Sequence, residues 1–175
     1  MKPSLTERYL QEVTFGLEDS LVSTVGTVTG MAIGSGNREI ILLAGLVIIF
    51  VEATSMAAGS YLSDKVRHDA DRIQGVEENG WHRPIVAGAF MGGSYLLAGV
   101  VPLAPYVFLP IMPAATLSVL FTLLTLFIVG MWQTQFTKRV WYKSGGEMLL
   151  VGGVAIVLGL VVGRLASQFL GTSIY

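Results

Sequence analysis

Five long apolar runs divide the chain, and four shorter polar or proline-rich stretches separate them. A membrane crossing takes about 20 mostly apolar residues. Residues 13–35, 40–63, 84–105, 114–135 and 148–170 each supply such a run. The pattern predicts five transmembrane α-helices forming one domain over residues 1–175, an all-α integral membrane protein. The connections differ in kind. "GSGNRE" reads as a tight turn. Residues 64–83, "DKVRHDADRIQGVEENGWHR", read as a short charged loop. "PYVFLPIMPA" is uncharged and rich in proline, and "FTKRVWYKSGGE" is basic and aromatic.

Composition narrows the class. Hydrophobic residues make up 53% of the 175 and charged residues only 13%, where a soluble domain carries about 25% charge. The 21 glycines suit membrane helices that pack backbone to backbone. There is no cysteine, which excludes disulfides, thiolate metal sites, iron–sulfur clusters and cysteine nucleophiles. A net charge of −1 offers no basic field for nucleic acid. No histidine pair, nucleophile–base set or phosphate-binding loop is evident, so the chain reads as a protein that is not an enzyme and needs no cofactor. The first apolar run begins near Val13, after Glu7, Arg8 and Glu12, and has no small-residue cleavage site. It is read as a retained helix rather than a leader. No internal repeat is visible, so any symmetry must come from a second copy.

Charge gives an orientation. Lys2, Arg8, Lys65, Arg67, Arg72, Arg83, Lys138, Arg139 and Lys143 fall on one side of the five-span plan, and only Arg38 and Arg164 on the other. The excess of Lys and Arg on cytoplasmic segments predicts a cytoplasmic N-terminus and a C-terminus outside or in a lumen. Trp81, Trp132, Trp141 and Tyr142 gather near the predicted cytoplasmic boundary, where interfacial aromatics belong.

Against this apolar background, acids within the spans stand out. An acid at the centre of a bilayer costs about 2.5–3.5 kcal/mol on insertion scales. Asp19 lies in the first helix and Glu52 in the second. Counted from the turn near Asn37, Asp19 lies 18 residues before it, Met56 19 after it and Glu52 15 after it. An antiparallel hairpin therefore puts Asp19 and Met56 at one depth, with Glu52 a turn away, about 6 Å. Asp19, Ser23, Gly26 and Gly30 share one helical stripe, and Glu52, Met56 and Gly59 share another. Gly26 and Gly30 form a GxxxG pair, which admits another helix at close range. Glu18 sits about 100° around the helix from Asp19 and reads as interfacial, snorkelling toward the headgroups. Two carboxylates and a thioether suit a soft divalent transition metal such as iron(II) better than magnesium or calcium. Met56 as core filler, and Glu52 as a structural acid bonded to a neighbouring hydroxyl such as Thr24 or Thr54, are the alternatives. Asp64, His68 and Asp71 fall on one helical face, with Asp69, Glu77, Glu78 and His82 nearby, but a solvated charge run is the readier explanation.

These residues resemble the vacuolar iron transporter family of iron and manganese exporters. "FGLEDSLVSTVGTVTG" is similar to its first-helix pattern, G-x-x-D-G-L before a small-residue run, with Asp19 and Leu21 matching and Ser20 in place of glycine. "EATSMAAGSYLS" is similar to its second-helix pattern at Ser55, Met56, Gly59, Tyr61 and Ser63, and "SGGEMLLVGGVAIVLGLVVG" to its fifth helix. The resemblance implies a homodimer with the ion path between the two first helices. It implies metal ligands at Asp19 and Met56, joined here by Glu52, and exchange of metal for protons. The glycine stripe would be the dimer seam. It implies a multi-pass protein of the cell membrane in a prokaryote or of a vacuole-type membrane in a eukaryote. One departure is plain: residues 64–83 stand where many members carry a long metal-gathering helical domain. A passive divalent-cation pathway, and a non-transporting subunit whose buried acids are structural, remain as the other readings.

Overall fold

The structure, a computed structural model, describes residues 5–73, 83–137 and 139–170. The described residues form five helices and no strand: α1 (Leu5–Ser35), α2 (Arg38–Ile73), α3 (Arg83–Phe108), α4 (Ile111–Thr137) and α5 (Trp141–Leu170). Four of them, α2 to α5, are long and apolar enough to cross a membrane, so the chain is a multi-pass membrane protein. Their outer faces carry the exposed apolar side chains, among them Leu43, Val47, Phe50, Leu97, Leu124, Leu150 and Val161.

The first helix has the length to span, 31 residues, but not the apolarity. Its position supplies the reason. It packs against all four other helices, and from Tyr9 to Ser35 only Gln11 and Phe15 are exposed. A helix enclosed by protein does not need a lipid-compatible surface, so α1 can carry Glu12, Glu18, Asp19 and a run of serines and threonines. Leu21, Val25, Val28 and Ala32 form its core-facing side.

Every helix outruns the apolar stretch that predicts it, because hydropathy marks a bilayer and not the end of a hydrogen-bond ladder. The expected loop at 64–83 is helical as far as Ile73, and the expected loop around "FTKRVWYKSGGE" shrinks to the few residues between Thr137 and Trp141. Within the extension of α2, Asp64, His68 and Asp71 are less exposed than their neighbours, as residues on one helical face would be. Trp81, His82, Glu77, Glu78 and Lys138 lie outside the described residues. The proline-rich connection is also mostly helix. Pro102 and Pro105 sit inside α3, and side chains from other helices bond carbonyls toward its C-terminal end. Ser118 donates to the Pro102 carbonyl at 2.7 Å. The Arg38 guanidinium donates from Nε to the Tyr106 carbonyl at 2.7 Å and from a terminal nitrogen to that of Val107. Pro113 falls in the first turn of α4, where no N–H is needed.

Two contacts set the arrangement around α1. The α1–α2 turn is tight because Gly36 takes a positive φ of 57° and Asn37 caps α2, its Oδ1 accepting from the Glu39 amide at 2.8 Å. On its other side α1 runs parallel to α5 with small residues in register. Cβ atoms built on Gly26, Gly30 and Gly34 would meet the carbonyls of Ala155, Gly159 and Gly163 at 3.2, 2.8 and 3.3 Å. Within the chain, then, α5 makes a close approach to this glycine stripe.

Candidate functional site

The register of the α1–α2 hairpin can be read from contacts at its two ends. Near the N-terminal end of α1, Ser60 donates to Glu12 Oε2 at 2.9 Å. Farther along, a Cβ on Gly45 would meet Val28 at 3.2 Å. These pairings put Met56 opposite the turn of α1 that holds Asp19. Glu52 and Ser60, one turn to either side of Met56, both reach inward, so the Glu52–Met56–Ser60 stripe faces the bundle.

Asp19 on α1 and Glu52 on α2 belong to helices that pack together, and Glu52 accepts from the hydroxyl of Tyr95. Both acids are half-buried. Tyr95, on α3, is fully buried. Its hydroxyl donates to Glu52 Oε2 and shares a 2.6 Å hydrogen bond with Ser23 Oγ. Its main-chain carbonyl accepts from Ser20 Oγ at 2.7 Å. Three helices therefore meet at Glu52. The neighbours weighed from sequence for this acid are not the ones it bonds. Thr54 donates back to the Phe50 carbonyl at 2.8 Å, and the buried Thr24 hydroxyl has no hydrogen-bond partner among the described residues.

Tyr95 is the residue that sequence reasoning missed. Its signal was a tyrosine amid the apolar residues of α3, since a buried phenol needs a partner. Which acid it meets depends on how α3 faces α2, and no pattern within either helix fixes that. Glycines make that contact close: Cβ atoms on Gly88 and Gly92 would meet the Ala57 carbonyl at 2.7 Å and the Ala57 Cβ at 2.9 Å.

Glu52 and Ser23 open onto a groove of about 520 Å³. Gly26, Thr27, Gly30 and Met31 of α1 line it, with α2 on one side and Gly159 and Gly163 of α5 on the other. Asp19 lies one turn before Ser23 on the same stripe of α1. Glu18 points elsewhere, into a separate groove shared with Gln133 and Phe136 of α4. At the N-terminal end of α1 a third cleft, of about 450 Å³, is polar and lined by Glu12, Asp64, Arg67 and Arg83 among others.

The chemistry available is that of a small cation site. Asp19 and Glu52 supply charged oxygens, and Met56 on the same face supplies a polarizable sulfur. Among the described residues no three His, Cys, Asp or Glu side chains come together as a metal site. Two carboxylates do not fill a coordination shell, so the remaining positions would fall to the thioether, hydroxyls, carbonyls, water or another protein copy.

The VIT family model matches residues 10–79 and 67–164. The two matched segments meet at the α2–α3 connection, where the sequence is short. The chain is 34% identical over 91 residues to Protein CCC1 of Saccharomyces cerevisiae, covering 47% of this chain and 28% of that protein. It is 34% identical over 82 residues to Vacuolar iron transporter 1 of Eucalyptus grandis, covering 46% of this chain and 33% of that one. It spans about a third or less of these two relatives. Uncharacterized protein MJ0645 of Methanocaldococcus jannaschii is 25% identical over 158 residues, 82% of each chain.

Proposed function

This chain belongs to the VIT family, and from that premise we propose that it exports iron(II) or manganese(II) from the cytoplasm in exchange for protons. The observation that supports this reading is that Asp19 and Glu52 are both half-buried on two helices that pack together, α1 and α2, with Met56 between Glu52 and Ser60 on the same stripe. Carboxylates are costly within a membrane and are held there for ions or protons. Asp19 acts as metal ligand and proton carrier, Glu52 as the second oxygen donor and Met56 as the soft ligand. The name of the Eucalyptus relative is consistent with an iron cargo.

The working unit in this reading is a homodimer. The groove beside Glu52 lies open between α2 and α5. A second copy across it, related by a twofold axis, would bring a second pair of acids to the ion and fill the shell that one chain leaves short. The Lys and Arg bias supports a cytoplasmic N-terminus, so the polar cleft at Glu12 and Asp64 is the entrance.

Purified protein in liposomes tests this directly. Uptake of iron(II) or manganese(II) that speeds up under an imposed pH gradient is the expected result. Uptake indifferent to the gradient would make the protein a passive pathway. No uptake of either metal would leave the acids a structural role.

A further inference from the structure

We propose that Tyr95 is a specificity-determining residue that excludes calcium by occupying one of the two oxygens of Glu52. The inference rests on the reading of Asp19 and Glu52 as a cation site. It does not require that the cation be transported.

The geometry leaves Tyr95 little freedom. Its side chain is fully buried, and it is tied at both ends, by Ser20 at its carbonyl and by Ser23 and Glu52 at its hydroxyl. The proton positions follow from the donors available. An ionised carboxylate only accepts, and a phenol has one proton to give. That proton goes to Glu52 Oε2, so Ser23 must donate to the phenol oxygen. The result is a directional chain from Ser23 through Tyr95 to Glu52.

Charge-assisted O–H···O⁻ bonds are the strong ones, so Oε2 is held. Glu52 lines the groove with Ser23, and with Oε2 engaged by Tyr95 its Oε1 is the oxygen left for a cation. A carboxylate with one free oxygen is a one-toothed ligand. Calcium gathers six to eight oxygens in a loose shell and often takes both oxygens of a carboxylate. Manganese(II) and iron(II) are satisfied by fewer donors, and iron(II) gains more from a thioether. Tyr95 therefore costs calcium a ligand that the smaller ions do not need.

The test is competitive binding to the purified full-length protein, with manganese(II) as the probe and calcium as the competitor. Tyr95→Phe keeps the ring and removes the hydroxyl. In it, calcium should displace manganese at about one-tenth of the concentration that wild type requires, while manganese affinity moves by less than about threefold; one ligand contact is a discrimination of this order. In a Glu52→Gln background the same substitution should leave the calcium–manganese ratio unchanged, because Tyr95 acts through that carboxylate. A merely structural tyrosine would weaken both metals together. An unchanged ratio in Tyr95→Phe, or an equal shift with Glu52→Gln present, would overturn the proposal. Should Tyr95→Phe not fold, Ser23→Ala loosens the same chain and should shift the ratio in the same direction by about threefold; no shift there would overturn it too. If wild type binds no manganese, the cation-site reading falls and this inference with it. If binding and selectivity hold but liposomes show no flux, only the transport reading falls.

Discussion

Asp19 and Glu52 are half-buried acids on two packed helices, and the role of each should be separable by substitution. Asp19→Asn keeps shape and removes charge. It should cut metal uptake more than about tenfold, since even changes behind a metal ligand cost about 10–100-fold, while the protein stays folded by its elution profile in detergent. Undiminished uptake would remove Asp19 from the mechanism. Glu18→Gln should matter far less, because Glu18 faces α4 and a different groove. Met56→Leu conserves volume at a cost below about 1.5 kcal/mol. It should reduce iron(II) uptake more than manganese(II) uptake in the same liposomes; an equal fall in both would make Met56 filler. The two acids stand out in the sequence because each is out of place in an apolar run; Met56 is singled out only by hairpin arithmetic, which puts it at the depth of Asp19 with Glu52 a turn away. Tyr95 is not singled out, because a tyrosine in a membrane helix is unremarkable until its neighbour is known.

Among the elements, the α1–α5 crossing holds the first helix in place. It depends on backbone meeting backbone: a Cβ on Gly159 would lie 2.2 Å from the Gly26 carbonyl, and one on Gly163 2.3 Å from that of Gly30. Backbone cannot yield as a flexible side chain does. Gly159→Leu should therefore push α5 off α1 and lower thermal stability in detergent by about 1–3 kcal/mol or more, the range for overpacking. Unchanged melting would mean that the helices part without cost. The sequence showed that a helix would approach Gly26 and Gly30, since GxxxG is read from one strand of text. It did not show which helix, because a glycine stripe accepts any partner. Helix ends lie beyond the apolar runs for a related reason: the runs stop at Ser63 and begin again at Met148, yet the ladder runs on to Ile73 and starts back at Trp141. At the opposite end, Arg38→Ala should free the last carbonyls of α3 and cost about 1 kcal/mol, a modest value because the side chain is exposed and water can replace it.

For the whole molecule, α1 and the four helices around it were visible as five runs, but the central position of α1 was not; only its weak apolarity hinted that it must be sheltered. That shelter bears on how the protein is made. The first helix leaves the ribosome before any of the four helices that enclose it exist. Glu18 and Asp19 each oppose its entry into lipid by about 2.5–3.5 kcal/mol at worst, and its own apolar residues offset this poorly. The bilayer alone would hold it loosely, and completion of the bundle would hold it fast. A nascent chain arrested after α2 should therefore leave α1 outside the membrane in many molecules, while a chain completed through α5 should keep it threaded. On the proposed orientation, a glycosylation acceptor placed in the turn at 35–37 is modified only when α1 has crossed. Equal modification at both lengths would show that α1 crosses unaided. The expected inequality would make the helix that carries the ion site the last to settle, so that the acids take their places only in a finished molecule.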